Sequence, residues 1–543
     1  MTRPARRLPT ARAMIVAPQP EAVEAGADVL RAGGSAIDAV LACAFVQGVV
    51  DPLMCGIAGL GVMHVHDPRT GQGVVLDGLS TCPAACTPQM WAGIYEGECP
   101  DGYGYILKGH VNELGHGAVT TPGILRLFAE AHAEWGALPW AELFNPARAI
   151  AERGFLIRPH VAGMLAMSEA AYGRSDYREK LAFTPDGQAL YLRPDGNPKK
   201  AGDIVRNPAL AESLATVARE GAETLYTGTL AAKILADMRA HGGLLSAEDL
   251  AGYRVVRRAP LSVDYRGYTV ATPPPPSGGI MIAEMLRILA HFDLTALGHN
   301  APEYIRIVSE AMKVAGRDKD AHIGDPAWQP PPLDLLLSDS YAADCAEGIR
   351  AGVKVRLSRV GEPTGTTTIS CVDANGLVVS LTHTLGLPSG VIVPGCGFMM
   401  NGAMNWYDPR PGRPGSIAGG KRRFSSMAPS IVLHGGQPVA TLGAPGGAWI
   451  TTAILQALLN LLDWGMTMQE AVMAPRFSAT SDRIDLSNRI PFATEQALRA
   501  MGYETTRSPM SYAFAAVHGI TMFDGALEGG ADPQRDGYAA GII

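Results

Sequence analysis

The sequence predicts an α+β protein whose helices crowd the first two-thirds of the chain and whose strands follow. Three observations predict it. Amphipathic segments at helical spacing fill most of 117–330, and β-rich runs dominate from 366 onward. An Asn-Gly bend joins two of those runs in "TTTISCVDANGLVVSLTHTL".

Taken in order, residues 20–49 carry apolar positions at helical spacing, interrupted by "AGG" at 32–34. "CGIAGLGVMHVHD" then bends through glycines into an alternating strand, and those glycines read as close backbone approach within the core. Their GxxGxG order is not a dinucleotide fingerprint, and the chain has no GxxxxGK[ST] phosphate loop. "PGILRLFAEAHAEWG", "LAESLATVAREGAETLY", "TLAAKILADMRAHGG" and "APEYIRIVSEAMKVAGRD" are amphipathic helices with caps or glycine stops. "TPPPPSGG" (272–279) is a rigid loop entering another helix, while Pro-rich 326–335 and polar 350–365 read as an exposed connector. Strands are expected at 366–373, 377–385, 391–400 and 430–442, and a helix at 449–464.

Composition narrows the function. Of 543 residues, 47% are hydrophobic and 18% charged, which excludes a disordered chain. A net charge of −7 with scattered Lys and Arg gives no footprint for nucleic acid, although a small anionic substrate stays open. The eight cysteines form no CxxC and no zinc-spaced Cys/His cluster, so neither redox nor metal chemistry is suggested. Reduced, mostly buried thiols and a basic start without an apolar h-region suggest a cytoplasmic protein. "AVLACAFVQGVV" is too short to span a membrane.

The Asn-Gly hairpin carries the chemistry. Its loop could hold two residues or three, and a one-residue slip exchanges the faces. Three loop residues (Ala374, Asn375, Gly376) pair Ile369 with Leu381 and Cys371 with Val379 on one apolar side. The opposite side then gathers Thr366, Thr368, Ser370, Ser380, Thr382 and Thr384, with Thr366 across from Thr384 and His383 on the apolar side. A two-residue loop would mix the faces, so the longer loop is preferred. Taken alone, a TTT run reads as plain strand. As a nucleophile, Thr366 needs a base. Scission after Gly365 would supply one, since a freed α-amine titrates at about 7.7–8.0. Glycine before Thr366 leaves the carbonyl open to attack.

Further segments matter: "FSSMAPSIV" (424–432), "GAPGG" (443–447), "APRF" (474–477) and "GGADPQRDGYAAG" (529–541). "GAVTTPG" (117–123), "WGALPWAELFNPARAIAERGF" (135–155), "PPPSGG" (274–279) and "IGDP" (323–326) add to them. With these motifs in order, the chain from about residue 13 to the end resembles the γ-glutamyltransferase family of N-terminal-nucleophile hydrolases, the first four being the strongest matches. The resemblance implies a four-layer αββα sandwich with a largely helical large-subunit portion. It also implies self-cleavage into a large subunit, 1–365, and a small subunit, 366–543, that stay partners. It makes Thr366 the nucleophile and Thr384 the threonine that hydrogen-bonds it. Gly446 and Gly447 become the oxyanion donors, and Ser425 and Ser426 a substrate-contacting pair. Their plainer readings are a turn at GAPGG and a polar start to the next strand.

The departures bear on substrate. The family's carboxylate-reading arginine falls at Leu79, its ammonium-holding acid at Trp406, and an asparagine two residues past the second threonine at Gly386. Thr368 stands where many relatives have histidine. "MNWYDPRPGRPGSIAGGKRRFSSM" instead resembles the cytosolic γ-glutamyltransferase-like branch that includes oxamate amidohydrolase. Trp406 then walls the pocket, with a core role as its alternative. Arg422 and Arg423 offer a carboxylate partner, although a surface role suits at least one of them. The leading expectation is an autoprocessing amidohydrolase acting on a small amide, oxamate-like or otherwise short, a chemistry that requires no cofactor. A glutathione hydrolase or γ-glutamyl transpeptidase is the alternative, and an uncut binding or scaffold protein a third. A homo-oligomer stays open.

Overall fold

A helix that is apolar on every side has to be covered on every side. Ala36–Val50 is such a helix, and all its residues but Gly48 are buried. Ser35 caps it in a box with Asp38. The hairpin tip reaches its N-terminus as well, because the Ala36 N–H donates to Asp373 Oδ2 at 2.9 Å. The computed structural model describes residues 11–100, 104–357, 365–508 and 514–543.

Two sheets stack. The first has seven strands, in edge-to-edge order Tyr538–Ile542, Ala13–Ala17, Thr367–Val372, Val378–Thr384, Leu60–Asp67, Gln72–Gly78 and Val256–Arg258. The second has six: Glu528–Ala531, His518–Thr521, Gln437–Gly443, Ser430–His434, Tyr268–Thr272 and Leu261–Tyr265. Helices Pro20–Arg31 and Ala36–Val50 cover the outer face of the first sheet, where Ile15, Met63, Ile369, Cys371 and Leu381 join their core. Helices Gly279–Leu289, Pro302–His322 and Ile450–Leu462 cover the second over Val263, Val270, Val432 and Leu442. The result is the four-layer αββα sandwich.

The hairpin register is the one that patterning requires. Ile369 pairs with Leu381, Ser370 with Ser380 and Cys371 with Val379, and the Asp373 N–H closes on the Leu377 carbonyl. Its hydroxyl face turns toward the other sheet. Ser370 Oγ donates to the His518 carbonyl at 3.2 Å and Ser380 Oγ to that of Leu442 at 3.4 Å. The glycines at 59 and 61 do mark close approach. A Cβ on Gly59 would stand 2.3 Å from the Thr384 carbonyl oxygen, and one on Gly61 3.0 Å from His383 Cβ.

Two expectations need correction. The 391–400 strand is two short ones, Pro388–Ile392 and Met399–Asn401, separated by left-handed turns at Gly395 and Gly397. The 430–442 run is a hairpin that turns at Gly435 and Gly436, which both have positive φ. The exposed connector is as expected where it is described, with 327–330, 334–335, 350–353 and 356 exposed, and it is anchored at its last described residues. Val355 N–H donates to Glu310 and Leu357 N–H to Asp482, and Leu357 is buried, because buried backbone amides require acceptors. Residues 358–364 of that reading lie outside the described ones. All eight cysteines are free, seven of them buried. Among the described residues no helix is long and apolar enough to cross a membrane.

Candidate active site at Thr366

Thr366 precedes the strand Thr367–Val372 in the middle of the first sheet and is only 2% exposed. Its φ is 109°, a left-handed conformation that costs a β-branched residue about 1–3 kcal/mol. Gly365 is left-handed too, at φ 68°, and a Cβ there would stand 2.7 Å from the Gly386 carbonyl oxygen. Only glycine fits. The strained pair is held from behind, where Arg535 Nη1 donates to the Thr366 carbonyl oxygen at 2.5 Å. Continuing the hairpin register by one residue sets Thr366 across from Thr384, whose Oγ1 accepts the Gly386 N–H at 2.8 Å. Thr368 is a buried structural hydroxyl, 2.9 Å from the Leu381 carbonyl and 3.2 Å from Thr382 Oγ1. His383 faces the helices as expected. It meets Gln47 Oε1 at 2.9 Å, and burial pushes its pKa down to about 3.

The GAPGG loop crosses the start of this strand. A Cβ on Gly443 would lie 2.3 Å from Thr368 Oγ1, and one on Gly446 2.4 Å from Ala515 Cβ. Gly446 and Gly447 have φ of 135° and 54°, and they lead through a short turn into the helix Ile450–Leu462. Their amides therefore sit at the positive end of that helix, an electrostatic setting that favours an anion. Ser425 is buried, and its N–H donates to the Pro276 carbonyl at 2.9 Å. Half-buried Ser426 opens onto a cavity.

The three departures meet in one place. A Cβ on Gly386 would fall 2.3 Å from Trp406 Cζ3, so the indole occupies the volume that a side chain at 386 would need. Trp406 packs against the same apolar cluster that contains Leu79, Ala403 and Met427. The Arg423 guanidinium lies 3.9 Å above its ring, a favourable cation–π contact. A surface role for Arg422 or Arg423 is thereby corrected. Arg423 is 4% exposed, while half-buried Arg422 donates to the Arg254 carbonyl and lies 3.7 Å from Asp77. The Phe424 carbonyl holds Arg423, and the Arg254 carbonyl together with buried Asp77 holds Arg422.

Trp406, Arg423, Ser426 and Ala448 line a cavity of about 340 Å³, whose wall also includes Met281, Met312, Tyr105 and Phe424. Five basic side chains reach it (Lys319, Arg356, Arg410, Arg413 and Arg423) against three acidic ones, Glu98, Asp320 and Asp408. Arg410 contacts both Glu98 and Asp408 at 2.7 Å. The surplus of positive charge, set among apolar walls, suits an anionic organic ligand.

Comparison with known proteins now adds to the geometry. Residues 22–542 match the profile of the family described as gamma-glutamyltranspeptidase. The chain belongs to that family. It is 37% identical to the acylase ACY 1 proenzyme of Pseudomonas sp. strain SE83, over 98% of this chain and 94% of the relative. It is 31% identical to the glutathione hydrolase proenzyme of Bacillus subtilis strain 168, over 97% and 91%. In structure it is similar to the cephalosporin acylase from Bacillus halodurans, with a TM-score of 0.86, 30% identity, and coverage of 99% and 98%. Like the family, the chain is an N-terminal-nucleophile hydrolase by fold.

Two arrangements among this family member's motifs are not readable in the sequence. Arg476 of "APRF" pairs with Asp532 of "GGADPQRDG", and the Asp532 N–H donates to His518 Nδ1 at 3.3 Å. That anchors the turn presenting Arg535 to Thr366. Burial meanwhile pushes the nearby Asp51 carboxyl up to about 6, against the pull of Arg535. The motifs announced Arg476, Asp532 and Arg535, but nothing along the chain signals that Arg535 meets Thr366.

Proposed function

We propose that this hydrolase is an autoprocessing, acylase-type amidohydrolase with Thr366 as nucleophile. Thr366 Oγ1 attacks the Gly365 carbonyl, the peptide shifts to an ester, and water releases Gly365 as a carboxylate and Thr366 as a free amine. The subunits 1–365 and 366–543 result. In turnover, Thr366 Oγ1 attacks the substrate amide, the α-amine takes its proton and passes it to the leaving amine, and water clears the acyl ester. Gly446 and Gly447 N–H groups hold the oxyanion, a contribution of a few kcal/mol per donor. Thr384 orients the nucleophile, and Ser425 and Ser426 border the substrate.

The observation that carries this reading is the Gly365–Thr366 junction, buried, left-handed at both residues and braced by Arg535. Substrate class follows from the replaced reader. With Leu79, Trp406 and Gly386 closing the family's glutamate subsite, the substrate carries an acyl group without an α-ammonium. Its carboxylate faces the basic cavity, where Arg423 lies over the Trp406 ring and is our candidate partner for it. An oxamate-like amide is the smallest member of this class. The relatives named acylase support the reading, and the one named glutathione hydrolase supports the alternative.

Two p-nitroanilides separate them, because glutaryl and γ-glutamyl differ only in the ammonium. Loss of its counter-ion is worth about 1.5–3 kcal/mol, so the glutaryl amide should be cleaved roughly 10- to 100-fold faster in kcat/KM. Equal or faster release from the γ-glutamyl anilide would favour a glutathione hydrolase. Denaturing gels test the nucleophile: two fragments from the native chain and one band from Thr366→Ala. An uncut native chain would support the scaffold reading.

A further inference from the structure

On another flank, the turn His116–Ala118 faces the C-terminal end of the helix Thr229–Ala240. Asp237 and His241, four residues apart, share one face there. His116 is brought to them by a turn whose preceding Gly115 N–H donates to the Ser389 carbonyl at 2.8 Å. One donor atom from each of the three residues lies within 4.8 Å of the others. Nε2 of His116 is 2.8 Å from Asp237 Oδ2, and Nδ1 of His241 is 3.2 Å from Oδ1 of the same carboxylate and 3.0 Å from the Asp237 backbone carbonyl, a contact the ion would displace. The two imidazoles stack with centroids 4.5 Å apart and planes at 18°, which directs both edges to one carboxylate.

We propose that His116, Asp237 and His241 bind one divalent transition-metal ion, in a site distinct from Thr366. Donors on a tetrahedral zinc ion with bonds of about 2.0–2.1 Å stand about 3.4 Å apart, and the two histidine–carboxylate spacings of 2.8 and 3.2 Å fall slightly short of that value, so small side-chain rotations admit the ion. Two imidazoles with one carboxylate select a borderline ion such as Zn²⁺ over Mg²⁺ or Ca²⁺. The site is half preset. The side chains of His116 and Asp237 are 6% and 8% exposed and fixed by packing, whereas His241 is 56% exposed and completes the site from solvent. Chain spacing conceals the site because one ligand lies more than a hundred residues before the others.

Binding ties the 115–120 segment to the helix. Thr120 N–H in turn donates to Asn401 Oδ1 at 3.0 Å, and the next residue, Gly402, donates to the Leu387 carbonyl at 2.7 Å. The ion therefore stiffens the platform under Gly386 without touching substrate.

The test uses the full-length, untagged, chelator-treated protein titrated with ZnCl₂ and, separately, CoCl₂. One Zn²⁺ per chain is expected, with visible Co²⁺ bands of a low-coordinate N/O site. His241→Ala, at an exposed position, should keep the fold and anilide hydrolysis while weakening Zn²⁺ binding at least about tenfold. Asp237→Asn should weaken it as well. Absence of saturable one-to-one binding, or unchanged affinity in His241→Ala, overturns the proposal.

Discussion

Gly386→Ala asks whether the indole of Trp406 is what closes the family's glutamate subsite. The new Cβ would stand 2.3 Å from Trp406 Cζ3, well inside van der Waals contact, and the backbone there is left-handed at φ 76°. Overpacking costs about 1–3 kcal/mol and the conformation about 1–2 kcal/mol more. Gly386→Ala should therefore lose about 2–5 kcal/mol. With Trp406→Ala already in place the clash disappears and only the backbone cost remains. A double-mutant cycle, read from midpoints of equilibrium denaturant melts at constant slope, should show the two changes compensating by about 1–3 kcal/mol. Additivity within about 0.5 kcal/mol would refute the claim that the ring and the missing side chain compete for one volume.

Arg535→Ala removes the donor at 2.5 Å from the Thr366 carbonyl, and a charge-assisted bond of this kind is worth about 1.5–3 kcal/mol. Slower appearance of the two fragments on a timed gel is expected, and unchanged kinetics would count against bracing. Burial holds His64 and His518 down to about 4 and His383 to about 3, so their neutral forms stabilise the fold above pH 6.5, and that stability drains away as pH falls toward 4, and toward 3 for His383. Asp51, raised to about 6, acts oppositely: its contribution is present below about pH 4 and lost as pH rises to 6. Asp51→Asn should thus gain about 3 kcal/mol more at pH 7 than at pH 4, measured by melts at both values; an equal effect at the two would contradict a buried, raised carboxyl.

What the sequence disclosed was local. The period-two pattern of Thr368, Ser370, Ser380 and Thr382 against Ile369, Cys371, Val379 and Leu381 determined a register that the sheet then follows, because a slip would bury the wrong face. The apolar spacing over 20–49 was equally readable, and its AGG interruption at 32–34 falls between the helices Pro20–Arg31 and Ala36–Val50. The divided runs at 391–400 and 430–442 were misjudged where paired glycines outweigh flanking β-propensity. Leu79, Gly386 and Trp406 were each visible as departures, but their contact was not, since hundreds of residues separate Leu79 from the indole. The same holds for Arg535 behind Thr366 and for His116 beside Asp237. Long-range pairs leave no period to read.

Strands from both sides of residue 365 alternate within the same two sheets: Ala13–Ala17 lies between Tyr538–Ile542 and Thr367–Val372, and Tyr268–Thr272 beside Ser430–His434. Severing one peptide bond there separates nothing, yet it removes the tether that let a single molecule find this arrangement. Neither piece retains a complete sheet, so a melted mature enzyme would have to reassemble from two strangers at whatever concentration they happen to share. Durability after maturation is then a matter of how slowly the pair comes apart, and the precursor is the only form that can afford to unfold.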